Sequence, residues 1–159
     1  MIIFKQLLRL SNLCRSRDIL WRKGKNVNSH QNMVREFMTA MQQHAPSSPS
    51  AENFPSALRI ALLKEEVREF EESVNSSDWM NAIRELCDIL YVTYGAAVSL
   101  GVDLEPFFQE IHRANMSKLG EDGKPMYRED GKVMKSPSYV PADMQKLFTL
   151  FYGSSSMHG

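Results

Sequence analysis

Residues 62–92 read LLKEEVREFEESVNSSDWMNAIRELCDILYV, and two helical periods meet in that stretch. Leu58, Leu62, Glu65 and Glu69 recur in steps of three and four, so on an α-helix they project from one side. Glu65 and Glu69 fall within roughly 40° of each other, and Glu66 lies within about 60° of Glu69. The second run carries Ile83, Leu86, Cys87, Ile89, Leu90, Tyr91 and Val92 on almost every side, with Glu85 and Asp88 three apart among them. A helix so apolar all round is expected to be buried. Between the runs, Asn75–Asp78 is polar and supplies Ser and Asp to cap the second helix. The expected elements are helices over about Ser56–Val74 and Trp79–Leu100, the second stopped by Gly101 in a left-handed turn.

The five acids then need an explanation. An ionised carboxylate on an apolar helix is costly unless something compensates it. Arg84 is the only base on the second helix, and Lys64 and Arg68 are expected to point elsewhere on the first. A bound cation is the economical answer. No His stands three or four residues from any of these acids, so the Glu-x-x-His pairs of di-iron bundles are missing. An all-oxygen shell suits Mg²⁺, with Mn²⁺ as a possible substitute, while no twelve-residue loop suggests Ca²⁺. A merely solvated acidic face would explain the first helix alone. It does not explain Glu85 and Asp88 on an apolar one.

Working outward, Met33, Phe37 and Met41 recur once per turn and suggest a first core helix over about Gln31–Gln43. His44–Pro55 is a Pro- and Ser-rich linker. Asp103 is placed to cap a fourth helix that tolerates Pro106 in its first turn, reaches Lys118 and stops at Gly120. Four helices with such short connections imply an all-α, antiparallel, four-helix bundle-like unit. After Gly120 the turn dipeptides Asp122-Gly123 and Asp130-Gly131 bracket a small hairpin through Met126–Arg128. Lys124, Arg128, Lys132 and Lys135 make this a loop-rich basic arm, with Tyr127 and Tyr139 beside them. Residues 31–148 form the expected domain, and 149–159 a flexible end. Residues 1–30 carry seven bases against Asp18 alone. They read as a basic appendage: a mitochondrial-type presequence, a surface helix, or sequence ahead of a start at Met33.

A length of 159 residues fits one domain. With 19 basic and 19 acidic residues, nothing points to a nucleic-acid partner. Cys14 and Cys87 do not make a disulfide framework, and no apolar run suits stable membrane insertion. The expected setting is cytoplasmic, or mitochondrial if residues 1–30 are a presequence. The apolar second helix, with Phe107, Phe108, Phe148 and Phe151, offers more apolar surface than three short neighbours cover. A homodimer or homotetramer is expected.

Glu-Glu-x-x-Glu, then fifteen residues, then Glu-x-x-Asp resembles the signature of the all-α NTP pyrophosphohydrolases. These include the MazG-like proteins, the dimeric dUTPases and the phosphoribosyl-ATP pyrophosphohydrolases. HRANMSKLGEDGKPMYREDGKVMKSPSYVPADM (112–144) and NMVREFMTAM (32–41) resemble the MazG-like branch similar to phosphoribosyl-ATP pyrophosphohydrolase. The likeness covers about residues 32–145. It implies a helical bundle whose dimer, or dimer of dimers, forms the site, and Mg²⁺-dependent cleavage of a (deoxy)nucleoside triphosphate between α- and β-phosphates. Carried over, Glu65, Glu66, Glu69, Glu85 and Asp88 would hold the metal, with Glu66 activating water, or Glu65 doing so with Glu66 as a ligand. Asn115, Lys118, Lys132, Lys135 and Tyr139 would contact substrate. The competing possibilities are a non-catalytic nucleotide-binding or interaction module on the same bundle, and a metal-storage or redox bundle.

Overall fold

Asp78 and Gly101 set the two ends of the central helix. The Asp78 carboxylate accepts from the Asn81 amide at 3.1 Å, and Gly101 closes the helix at φ +70°. In the computed structural model, which describes residues 29–153, the helices are α1 (Ser29–Ala40), α2 (Ser56–Asn75), α3 (Trp79–Leu100), α4 (Glu105–Met116) and α5 (Met144–Tyr152). The fold is all-α. The described residues contain no strand beyond an isolated antiparallel bridge between Tyr127 and Val133. Residues 1–28 of the expected basic appendage and the tail after 153 lie outside the described residues, while residues 29 and 30, its last two, belong to α1.

α3 is the axis of the structure, with both α1 and α2 packed along it. α2 turns into α3 through three residues, which makes an antiparallel helical hairpin. The buried centre is small: Val34 and Met38 of α1 meet Val98 of α3, with Ala45 and Tyr94 against them. The first helix therefore buries Gln31, Val34 and Met38, while the expected core stripe of Met33, Phe37 and Met41 is exposed. Both stripes repeat at helical spacing. Gln31 decides between them, because its amide donates to the Val102 carbonyl at 2.6 Å and accepts from the Leu104 amide at 3.1 Å. A buried glutamine satisfied on both sides is stable where an unpaired one is not.

Arg59 is a second buried polar group. Its guanidinium donates to Ser99 Oγ at 3.0 Å and Gln43 Oε1 at 3.3 Å, and rests on Met38 Sδ. Burial lowers its pKa from the ordinary arginine value. Gly95 makes room for it, since a Cβ there would stand 3.0 Å from Arg59 Nη1. The expected burial of α3 on all sides does not hold. Trp79, Met80, Ile83, Leu86 and Leu90 are exposed, because α1 and α2 cover only part of its circumference.

α4 packs against α5 and against no other described helix. Pro106 sits in its first turn as expected, and the Asp103 carboxylate accepts from the Glu105 amide at 3.0 Å. The segment after α4 folds back on it. Arg113 donates to the Pro141 carbonyl at 3.0 Å, and Ser136 Oγ donates to the Ser117 carbonyl at 3.1 Å. Glu110 accepts from Arg113 and from the Asp143 amide, and these bonds hold its pKa down at about 2. The hairpin forms at its expected place, with Met134 donating to Met126 O at 2.7 Å and Arg128 to Lys132 O at 2.9 Å. α5 lies where no helix is expected and extends past residue 148 into the stretch that reads as flexible. Its Tyr152 hydroxyl accepts from the Asp103 amide at 2.9 Å. No single described helix is long and apolar enough to cross a membrane.

Gly101 gives a stability prediction. A Cβ at this position would stand 2.1 Å from the Ser48 carbonyl oxygen, and the backbone is left-handed besides. Gly101→Ala is expected to destabilise the fold by about 2 kcal/mol or more, from the left-handed strain plus the clash. Thermal denaturation measures it, and an unchanged midpoint would show that the linker yields freely.

Candidate active site

Because α2 and α3 form a hairpin, their acidic residues face each other across it. Carboxylate oxygens of Glu66, Glu85 and Asp88 all lie within 4.8 Å of one another. Glu66 comes from α2, and Glu85 and Asp88 come from successive turns of α3. Glu85 is 1% exposed, and its Oε2 is buried without a hydrogen-bond partner among the described residues. Its Oε1 accepts from the Arg84 guanidinium. An orphaned carboxylate oxygen in a buried position is costly, and two further carboxylates beside it raise that cost. Burial pushes the Glu66 pKa above the usual carboxylate range, and the charges of Asp88, Glu69, Glu85 and Glu65 push it the same way. The donor set is all oxygen and negatively charged. It fits a divalent metal ion.

The five acids are thus electrostatically one group, but not one shell. Glu65 is exposed and Glu69 half-buried, and both stand outside the Glu66–Glu85–Asp88 group. Glu69 accepts from Arg68 at 3.2 Å, and Arg68 also binds Glu72 at 2.5 Å. Arg68 does not point away as expected, because its length lets it curl back along α2 to both neighbours. Glu69 and Glu85 border a polar cavity of about 380 Å³ at the turn end of the hairpin, together with Ser73, Asp78, Asn81 and Arg84. Its floor is organised: Asn81 Nδ2 donates to Ser73 Oγ at 2.6 Å, and Arg84 Nε donates to Asn81 Oδ1 at 3.0 Å. From sequence, Arg84 stands out only as the lone base of its helix. Its i−3 spacing from Asn81 is the one sequence signal of its orientation.

The remaining candidates lie on the α4 unit. Lys118 Nζ donates to Asn115 Oδ1 at 2.7 Å, so the two are brought together. Lys135 Nζ stands 4.6 Å from the centre of the Tyr139 ring. Lys132 is exposed at the hairpin. Asn115 is on α4, which is not packed against α2 or α3, and the other groups lie in the segment after it, so none is carried on the helices that hold the carboxylates.

Known proteins resemble the chain over this same region. Residues 34–115, just over half the chain, match the model of the phosphoribosyl-ATP pyrophosphohydrolase family. The matched span runs from α1 to the end of α4 and includes all five acids. An uncharacterised protein of Acanthamoeba polyphaga mimivirus, L479, is 30% identical over 79 residues, which are 50% of this chain and 29% of that protein. The match therefore spans less than a third of that relative's length. A crystal structure from Exiguobacterium sp. 255-15, described provisionally as an NTP pyrophosphohydrolase, aligns with 79% of this chain and 95% of its own at 20% identity and a TM-score of 0.42. With carboxylates converging where the family match lies, the chain belongs to the phosphoribosyl-ATP pyrophosphohydrolase family.

Proposed function

We propose that the protein hydrolyses (deoxy)nucleoside triphosphates between the α- and β-phosphates, giving the monophosphate and pyrophosphate, with Mg²⁺ or Mn²⁺ bound. The observation that carries this is the buried Glu85, whose Oε2 has no partner among the described residues and whose carboxylate lies within 4.8 Å of oxygens of Glu66 and Asp88. Glu66, Glu85 and Asp88 would hold the ion, with Glu69 as a further ligand at the cavity side. A divalent ion held there would supply charge neutralisation for the phosphates and a more acidic water. Water attacks the α-phosphorus, the α–β anhydride bond breaks, and pyrophosphate departs. Membership of Glu66 in the triad favours Glu65, its exposed neighbour, as the group that takes the water's proton. Incubating the protein with a panel of nucleotides and Mg²⁺ tests the function. Pyrophosphate as the product supports it, and release of inorganic phosphate would exclude it.

Asn115, Lys118, Lys132, Lys135 and Tyr139 would bind the substrate from the α4 unit. We assign them to the site of a second copy, since α4, which carries Asn115 and leads into the segment with the others, is not packed against the acidic hairpin of its own chain. The exposed apolar side of α3 supports a homodimer or homotetramer. Lys118→Ala or Lys135→Ala is then expected to lower kcat/KM for triphosphates by about tenfold or more, from loss of one charge-assisted contact. The thermal midpoint should hardly move, as these lysines lie outside the core. Unchanged kinetics, or a lost fold, would remove the arm from the site.

A further inference from the structure

Arg84 has an unusual position for a base beside an acid cluster. Its side chain is 63% exposed, yet its guanidinium reaches in to Oε1 of Glu85, whose side chain is 1% exposed. The guanidinium is also aimed, since Nε is tied to Asn81 Oδ1, and Asn81 is in turn tied to Ser73. Arg84 lines the polar cavity together with Glu69 and Glu85. Among the ion pairs of the described residues, the one between Arg84 and Glu85 alone reaches the Glu66–Glu85–Asp88 group. A guanidinium and a divalent ion on the same carboxylate repel each other, and each lowers the other's hold on it. An exposed stem lets Arg84 withdraw at little cost in packing.

We propose that Arg84 is the internal counter-cation of this site: it holds Glu85 while no metal is bound, yields Glu85 to the metal, and then binds the phosphate chain entering the cavity. This rests on the metal-dependent reading above. The guanidinium's planar donors suit phosphate oxygens, and the cavity beside the carboxylates has room for a diphosphate group. Neutralising Arg84 thus acts in opposite directions on two ligands, whereas a plain surface ion pair would affect neither.

Calorimetric titration of the full chain with Mn²⁺, for wild type and Arg84→Gln, reads the first half. Arg84→Gln is expected to bind Mn²⁺ about two- to fivefold more tightly, the range an exchanged, partly exposed ion pair allows. Titration of inorganic pyrophosphate at saturating Mn²⁺ reads the second half, with affinity expected to fall about fivefold or more in Arg84→Gln. Arg84→Lys, which keeps the charge but not the fork, should restore the wild-type Mn²⁺ affinity and only part of the pyrophosphate affinity. Mn²⁺ affinity unchanged or weakened in Arg84→Gln would overturn the proposal, and so would unchanged pyrophosphate affinity. If the wild type binds no Mn²⁺ at all, the metal reading itself fails. A metal-free melt within a few degrees of wild type confirms that the variant is folded.

Discussion

Glu85→Gln is expected to lower turnover at saturating Mg²⁺ by well over tenfold, with no loss of stability in the metal-free protein. Glutamine keeps the side chain's volume and an oxygen that can still accept from Arg84. It removes a buried negative charge whose second oxygen has no partner among the described residues. The metal-free fold should therefore melt at the same temperature or higher. The metal-bound state loses a ligand, which should cost more than about 1.4 kcal/mol of barrier, a factor of ten in rate. Mg²⁺ should raise the melting temperature of the wild type but not of the variant. A variant that kept more than about a tenth of the wild-type rate would refute Glu85 as a ligand.

A charge placed on the exposed side of α3 should have an effect of similar size by another route. Leu86 is 47% exposed in the single chain, so Leu86→Glu disturbs little within it. Trp79, Ile83 and Leu90 of the same helix are exposed as well, and exposed apolar side chains at helical spacing suit a partner surface. In an oligomer the new carboxylate would be buried without a partner. Leu86→Glu is expected to shift sedimentation at micromolar concentration from dimer or tetramer to monomer. It should also reduce kcat/KM by about a hundredfold, a hot-spot loss of nearly 3 kcal/mol. A wild-type protein that sediments as a fully active monomer would contradict this.

The acidic hairpin is legible in the sequence because its cap, its stop and its acidic spacing agree. Asp78 caps α3, Gly101 ends it, and the two acidic motifs fall on facing turns. Elsewhere periodicity alone is ambiguous. In α1 the Met33–Phe37–Met41 stripe and the Val34–Met38 stripe repeat equally well, and the choice depends on Gln31 bonding to a backbone 71 residues away. Apolar residues all round α3 suggest burial within one chain. They are compatible instead with a surface left open by α1 and α2. α5 has its own signals, the Asp143 carboxylate accepting from the Lys146 amide and an apolar MQKLFTLFY, but it comes after a loop rich in turn residues. The reach of Arg68 and Arg84 toward neighbouring carboxylates depends on rotamers of long side chains, which spacing does not determine.

Water attack on the α-phosphorus of a triphosphate, at the carboxylate cluster of α2 and α3, would leave its own isotopic signature. Hydrolysis of a panel of canonical and modified deoxynucleoside triphosphates in ¹⁸O-water with Mg²⁺, with products read by mass spectrometry, shows which phosphorus is attacked. One ¹⁸O in the nucleoside monophosphate, unlabelled pyrophosphate, and no turnover once the metal is chelated are expected. Label in pyrophosphate or in inorganic phosphate, or turnover that survives chelation, would contradict the proposed reaction.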